Sequence, residues 1–132
     1  MSIERIAARG NWGTVEWGAD LRGVTLARDY YLKLPEKQQA KVMALFRRLA
    51  DHGKIFDRTK FKQLGPRAKG KGAELWEFKS GQDRFLGDFR PGGRFLIAHA
   101  LCKKSDNLPK PDMEKAVRIL EEHDLQERGR PL

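Results

Sequence analysis

Leu75-Trp76-Glu77-Phe78-Lys79, Ser80-Gly81-Gln82-Asp83 and Arg84-Phe85-Leu86-Gly87-Asp88-Phe89 follow one another without a break. The two outer runs alternate with a period of two around a polar, Gly-containing loop, which is the pattern of a β-hairpin. Trp76 and Phe78 fall on one face of the first strand, and Phe85 and Phe89 on one face of the second. The opposite face carries Glu77, Lys79, Arg84 and Asp88. A four-residue loop closed in simple register sets Lys79 opposite Arg84. Like charges directly across a ladder repel, so a hairpin that keeps them there reads as a place to hold an anion.

Period and punctuation assign the chain on either side. Residues 1–13 show no clear period and read as a flexible leader, whereas Thr14-Val15-Glu16-Trp17 alternates as a first strand. Leu26, Tyr30 and either Leu32 or Leu34 recur at helical spacing within 24–34. Pro35 suits a first helical position, and Val42, Leu45, Phe46 and Leu49 form an i, i+3, i+4, i+7 stripe. Gly53 stands where a helix end takes a left-handed residue. Lys60-Phe61-Lys62-Gln63-Leu64 alternates as a short edge segment, and Arg67-Ala68-Lys69-Gly70-Lys71-Gly72 reads as a mobile basic loop. After a Pro91-Gly92-Gly93 turn, Arg94 to Cys102 is apolar at both alternating sets, as in a central strand. Pro111 opens a last helix with Met113, Ala116, Val117 and Leu120 on one side, and residues 125–132 read as a tail. The order β-α-α-β-β-β-α predicts one α+β domain over 14–124. Its small antiparallel sheet packs against two N-terminal helices, and a C-terminal helix completes it.

The formal charge of +9 on 132 residues is unevenly spread. Residues 1–52 carry a net +3, residues 53–104 a net +8 and residues 105–132 a net −2. The excess coincides with the hairpin region, and such a field favours polyanions, of which nucleic acid is the commonest inside a cell. The plainer reading is a basic, solubilising surface. No apolar run is long enough to cross a bilayer, and Met1-Ser2-Ile3-Glu4-Arg5 lacks the apolar core of a signal peptide. One cysteine, Cys102, gives neither an intrachain disulfide nor a zinc spacing. A cytoplasmic protein without metal or membrane is expected. Walker and dinucleotide fingerprints are absent.

With the aromatic face of the hairpin in the core, Glu77, Lys79 and Arg84 project from rigid strands towards an open face of the sheet. Lys103 and Lys104 follow the central strand, at least one of them reaching the same concavity, and Lys60 and Lys62 line its edge. Arg grips a phosphate through a planar fork, while Lys is a compact charge whose pKa falls when it is buried or crowded by cations. Such a cluster stabilises the charge that develops on a scissile phosphate. Glu77 or a depressed lysine then takes a proton from a ribose 2′-hydroxyl. Each residue also has a plainer role. Glu77 pairs across strands with Lys79 or Arg84; Trp76 packs in the core rather than stacking a base. His99 alternates with Ile97 and Leu101 as a core histidine. His52 serves a helix C-terminus, His123 lies on a solvated helix face, and Cys102 is a buried small residue.

These residues resemble, in order and spacing over about 14–124, the RelE/ParE superfamily of type II toxin–antitoxin toxins, and within it the HigB-like, phage-derived branch. The resembling pieces are Leu34-Pro35-Glu36-Lys37, Leu49-Ala50-Asp51-His52-Gly53, Phe61-Lys62-Gln63-Leu64, Leu75-Trp76-Glu77, Arg84, His99 and Lys103-Lys104-Ser105. Pro109 and the helix with Glu114 and Ala116 complete them. The resemblance implies a RelE-like toxin that cleaves mRNA on the ribosome without metal or cofactor. A cognate antitoxin, usually of helix-turn-helix type, would neutralise it.

Basic positions of the family map onto Lys79, Arg84, Lys103 and Lys104, with Lys62 as a further position of the branch. Arg84 and Lys79 are expected at the scissile phosphate, with Glu77 or His99 as proton-transfer group. Lys60, Lys62, Lys103 and Lys104 are expected on RNA. The chain departs from the family in three places. No tyrosine follows Tyr31, Leu75 and Glu77 stand where some relatives have lysines, and the run after Lys104 is reduced to Ser105-Asp106-Asn107-Leu108. Two alternatives stand beside the nuclease: a ParE-like inhibitor of DNA gyrase, and a catalytically inactive phage-derived binding protein.

Overall fold

The computed structural model describes residues 5–64, 74–104 and 108–129. Along the chain run β1 (Ile6–Arg9), β2 (Thr14–Trp17), α1 (Leu26–Leu32), α2 (Glu36–His52), β3 (Phe61–Gln63), β4 (Trp76–Ser80), β5 (Asp83–Arg90), β6 (Arg94–Cys102) and α3 (Lys110–Arg128). The class is α+β, as expected. Six strands form one sheet in the order β1-β2-β6-β5-β4-β3. Neighbours are antiparallel except β2 and β6, which run parallel. A parallel pair needs a long crossover, and the whole segment from α1 to β5 forms it.

The sheet is covered on both sides. Phe78, Phe85, Phe95, Ile97 and Ala100 pack with Val42, Phe46 and Leu49 of α2 and Ala27 of α1. On the other side Leu75, Leu86, Leu96 and Ala98 pack with Met113, Ala116, Ile119 and Leu120 of α3. The double-sided strand β6 is therefore apolar at both parities because each parity enters a different core. The stripe on α2 behaves as its spacing predicts, and Gly53 ends the helix at φ 72° with its N–H on the Leu49 carbonyl.

Three readings of the chain ends change. Residues 6–9, expected in a flexible leader, form edge strand β1, in which Ala8 is buried. Small side chains and a register irregularity between Ile6 and Ala8 hide the period. Helix α3 runs through Arg128, so residues 125–128 of the expected tail are helix. His123, expected on a solvated face, is 4% exposed and its Nδ1 accepts the Ala19 N–H at 3.0 Å. The Arg67–Gly72 tract and Ser105 to Asn107 lie outside the described residues. Among those described, no helix is long and apolar enough to cross a membrane.

Candidate functional site

The hairpin closes more tightly than expected: Ser80 pairs with Asp83, leaving Gly81 and Gln82 as a two-residue turn with Gly81 at φ 60°. Such turns need positive φ, which glycine adopts without steric cost. The register still sets Lys79 opposite Arg84 and Phe78 opposite Phe85. On the flanking strand Lys62 pairs with Glu77, and the Lys60 carbonyl accepts the Lys79 N–H at 2.8 Å. Lys62, Glu77, Lys79 and Arg84 thus share one patch on the side of the sheet that carries α3. Asp88 shares that face but is held at its far end by Arg90.

Glu77 does not project into an open face as expected. Its side chain is 1% exposed and lies beneath the cations, with Oε2 3.7 Å from Arg84 Nε. That separation is an ion pair without a hydrogen bond, and both atoms are buried without any hydrogen-bond partner among the described residues. The guanidinium is anchored by Nη1, which donates to the carbonyls of Gly81 (2.7 Å) and Asp83 (3.0 Å). Lys79 stands below the ordinary lysine range. Burial is the main cause, followed by the nearby Lys62 charge; Glu77 opposes the shift without cancelling it. A lysine that sheds its proton more readily sits beside an arginine that cannot.

His99 reaches this side by a β-bulge. Gly87 pairs with Ile97 but Leu86 pairs with His99, so Ala98 is the extra residue on β6. The insertion reverses the alternation: Ile97 and Ala100 enter the α2 core, and His99 turns towards α3. There its Nε2 lies 2.7 Å from Asp112 Oδ1, while Nδ1 is buried without a partner among the described residues. His99 is one strand beyond Leu86, itself the neighbour of Glu77. Asp112 was invisible as its partner, since nothing local to the first turn of α3 marks a contact with β6.

The remaining candidates are looser. Lys103 is half-buried and its N–H donates to the Gln82 carbonyl at 2.7 Å, which ties the end of β6 to the hairpin turn. Lys60 and Lys104 are exposed. Cys102, expected to be buried, is exposed because β6 ends there, beyond the cover of the helices. Trp76 packs on the α2 core, stacked on Phe61 with ring centroids 5.0 Å apart.

Fold and patch together define an α+β domain consistent with a RelE-like fold, with a cationic cluster on its central hairpin. The family described as phage-derived protein Gp49-like (DUF891) matches residues 29–121, a span that includes every candidate site residue. The chain belongs to that family, which is associated with RelE/Gp49-type toxins. No curated protein matches the chain.

Proposed function

We propose that this protein is a toxin of the RelE/HigB type that cleaves mRNA on the ribosome without a metal, and that a cognate antitoxin restrains it. The observation that carries the reading is the register that places depressed Lys79 directly across from Arg84, with Lys62 alongside and a buried carboxylate beneath. In this reading Lys79, which holds its proton less tightly than an ordinary lysine, takes the ribose 2′-hydroxyl proton when in its unprotonated form. The 2′-oxygen attacks phosphorus, forming a 2′,3′-cyclic phosphate, and Lys62 gives a proton to the departing 5′-oxygen. Arg84 holds the non-bridging oxygens, where charge grows in the transition state.

Glu77 is too deeply buried to touch substrate, so we assign it the orientation of Arg84. His99, whose Nε2 is taken by Asp112 and whose Nδ1 is covered, is assigned to anchoring α3 instead of proton transfer. Lys60, Lys103 and Lys104 form the rim that meets RNA backbone.

The test expresses wild type, Arg84→Ala and Arg84→Lys and maps the 5′ ends of cellular mRNA. Arg84→Lys guards against misfolding, because it keeps a cation over Glu77. New 5′ ends within coding regions for wild type, lost in both variants, are expected. DNA damage without mRNA cleavage, or equal cleavage by all three proteins, would overturn the proposal.

A further inference from the structure

We propose that the hollow at the hairpin tip is a nucleobase site that selects guanine, a proposal that rests on the RNA-cleavage reading for its class of ligand. A cavity of about 310 Å³ opens where the turn meets the start of α2, and Gln38, Lys41, Gln82, Asp83 and Cys102 are among the residues that line it. Its volume is at the lower end of the range for small-molecule sites, about 300–1,000 Å³. Successive strand residues point to opposite faces. Lys79 and Arg84 therefore look to one side of the tip, and Ser80 and Asp83 to the other. The turn also fixes Arg84 through the Gly81 carbonyl at 2.7 Å. A single RNA strand bent over this tip sets a phosphate on the cations and its neighbouring base in the hollow.

The chemistry of the hollow centres on Asp83. Its residue is 8% exposed, and its carboxylate accepts one hydrogen bond among the described residues, from the Tyr30 hydroxyl to Oδ1 at 2.5 Å. Burial, and then the Asp83 carboxylate, push Tyr30 well above the ordinary phenol range, so the hydroxyl stays a donor. A carboxylate offers about four acceptor positions, so beyond the Tyr30 hydroxyl Asp83 keeps acceptors for a ligand in the hollow. Guanine presents a ring N–H beside an exocyclic amine, two parallel donors that match a carboxylate edge. Adenine, cytosine and uracil each set an acceptor next to their donor, and that lone pair opposes the carboxylate. Lys41 and the side-chain amide of Gln82, which also line the hollow, supply donors for the guanine O6.

The experiment titrates the full chain with the four ribonucleoside 3′-monophosphates by calorimetry, with amide shift mapping by NMR. Guanosine 3′-monophosphate is expected to bind about tenfold more tightly than the others, shifting Gln38, Gly81 and Gln82. Asp83→Asn still accepts the Tyr30 hydroxyl and is expected to erase the preference. Gln82→Ala, at an exposed position, is expected to weaken the guanine nucleotide alone. Equal binding of all four, binding of none, or an undiminished preference in Asp83→Asn would overturn the proposal. A guanine preference without RNA cleavage would instead sink the nuclease reading and leave the base site standing. Cleavage without the preference would do the reverse.

Discussion

Two charge clusters occupy opposite ends of one sheet face, the side that carries α3, and they are built on opposite terms. At one end Arg94 is held by Glu16 at 3.0 Å and by Glu127 at 2.6 Å, and Arg90 meets Asp124 at 2.8 Å. At the other end Arg84 and Glu77 stand 3.7 Å apart, their facing atoms without a hydrogen bond among the described residues, and Lys79 and Lys62 crowd the same patch without an ion pair to any described acid. The pKa directions follow the same division. Burial pushes Glu16 up, but hydrogen bonds from Arg94 and Thr14 outweigh it and hold the carboxyl below its ordinary value. Lys79 is pushed away from its charged form, first by burial and then by Lys62. The first cluster fastens α3 to the sheet. The second keeps a surplus of positive charge among the described residues, which in the proposed function an RNA phosphate would offset.

If that contrast holds, damage to the first cluster shows in stability and damage to the second in activity. The largest stability effect belongs to Arg94→Met. It leaves buried Glu16 and half-exposed Glu127 without their cation, and the urea midpoint is expected to fall by the equivalent of about 3 kcal/mol. Catalytic turnover of the fraction that stays folded is expected to be unchanged. A loss under about 1 kcal/mol would mean that the paired end contributes no more than a surface contact.

Acid titration sharpens the same point. A carboxylate whose folded pKa is depressed stabilises the fold fully above its unfolded value, and that contribution is lost as pH falls. Glu16 and Glu127 are both depressed from 4.5, although burial alone would raise them. His123 is depressed from 6.5, mainly by burial, so it too favours the fold above that value and opposes it below. The urea midpoint is therefore expected to decline in two stages, the first below about pH 6.5 and the second below about pH 4.5. Arg94→Met is expected to flatten the second stage, since Arg94 is the main group holding both glutamates down. A midpoint that stays level between pH 7 and pH 4 would break this account of the paired end.

The effect at the His99–Asp112 contact is smaller. Asp112→Asn removes the charge that meets His99 and is expected to cost about 1 kcal/mol, with cleavage changed less than twofold at temperatures where the protein is folded. A loss of activity out of proportion to stability would return His99 to the list of proton-transfer groups.

How far each cluster could be read in advance depends on the range of its contacts. The hairpin was legible because a period of two and a glycine turn are local signals, and because one register fixes Lys79 against Arg84. The stripes on α2 and α3 were legible for the same reason. The position of His99 was not, because one extra residue in β6, Ala98, reverses its side without leaving a mark in the pattern. The burial of Glu77 depends on the neighbouring strands above and beside it. The paired end was wholly hidden. Arg94 and Glu16 meet through a parallel pairing across 78 residues, and His123 is buried by a contact with Ala19 that no helical periodicity encodes. Strand β1 escaped because Ala7 and Ala8 are too small to carry a strong alternation.

The central claim, that the hairpin cluster is kept for RNA at the expense of stability, is tested most directly by Lys79→Met with two readings on one sample. A lysine depressed in the fold binds its proton more weakly there than in the unfolded chain, so at pH 7 its removal relieves the structure. The account predicts a urea midpoint that is unchanged or raised, by the equivalent of about 0.2–1 kcal/mol, the range of a cross-strand pair. Ribosome-dependent cleavage of mRNA is predicted to fall by about 10²–10⁴-fold. A midpoint that drops while cleavage persists would make Lys79 an ordinary structural cation and contradict the account.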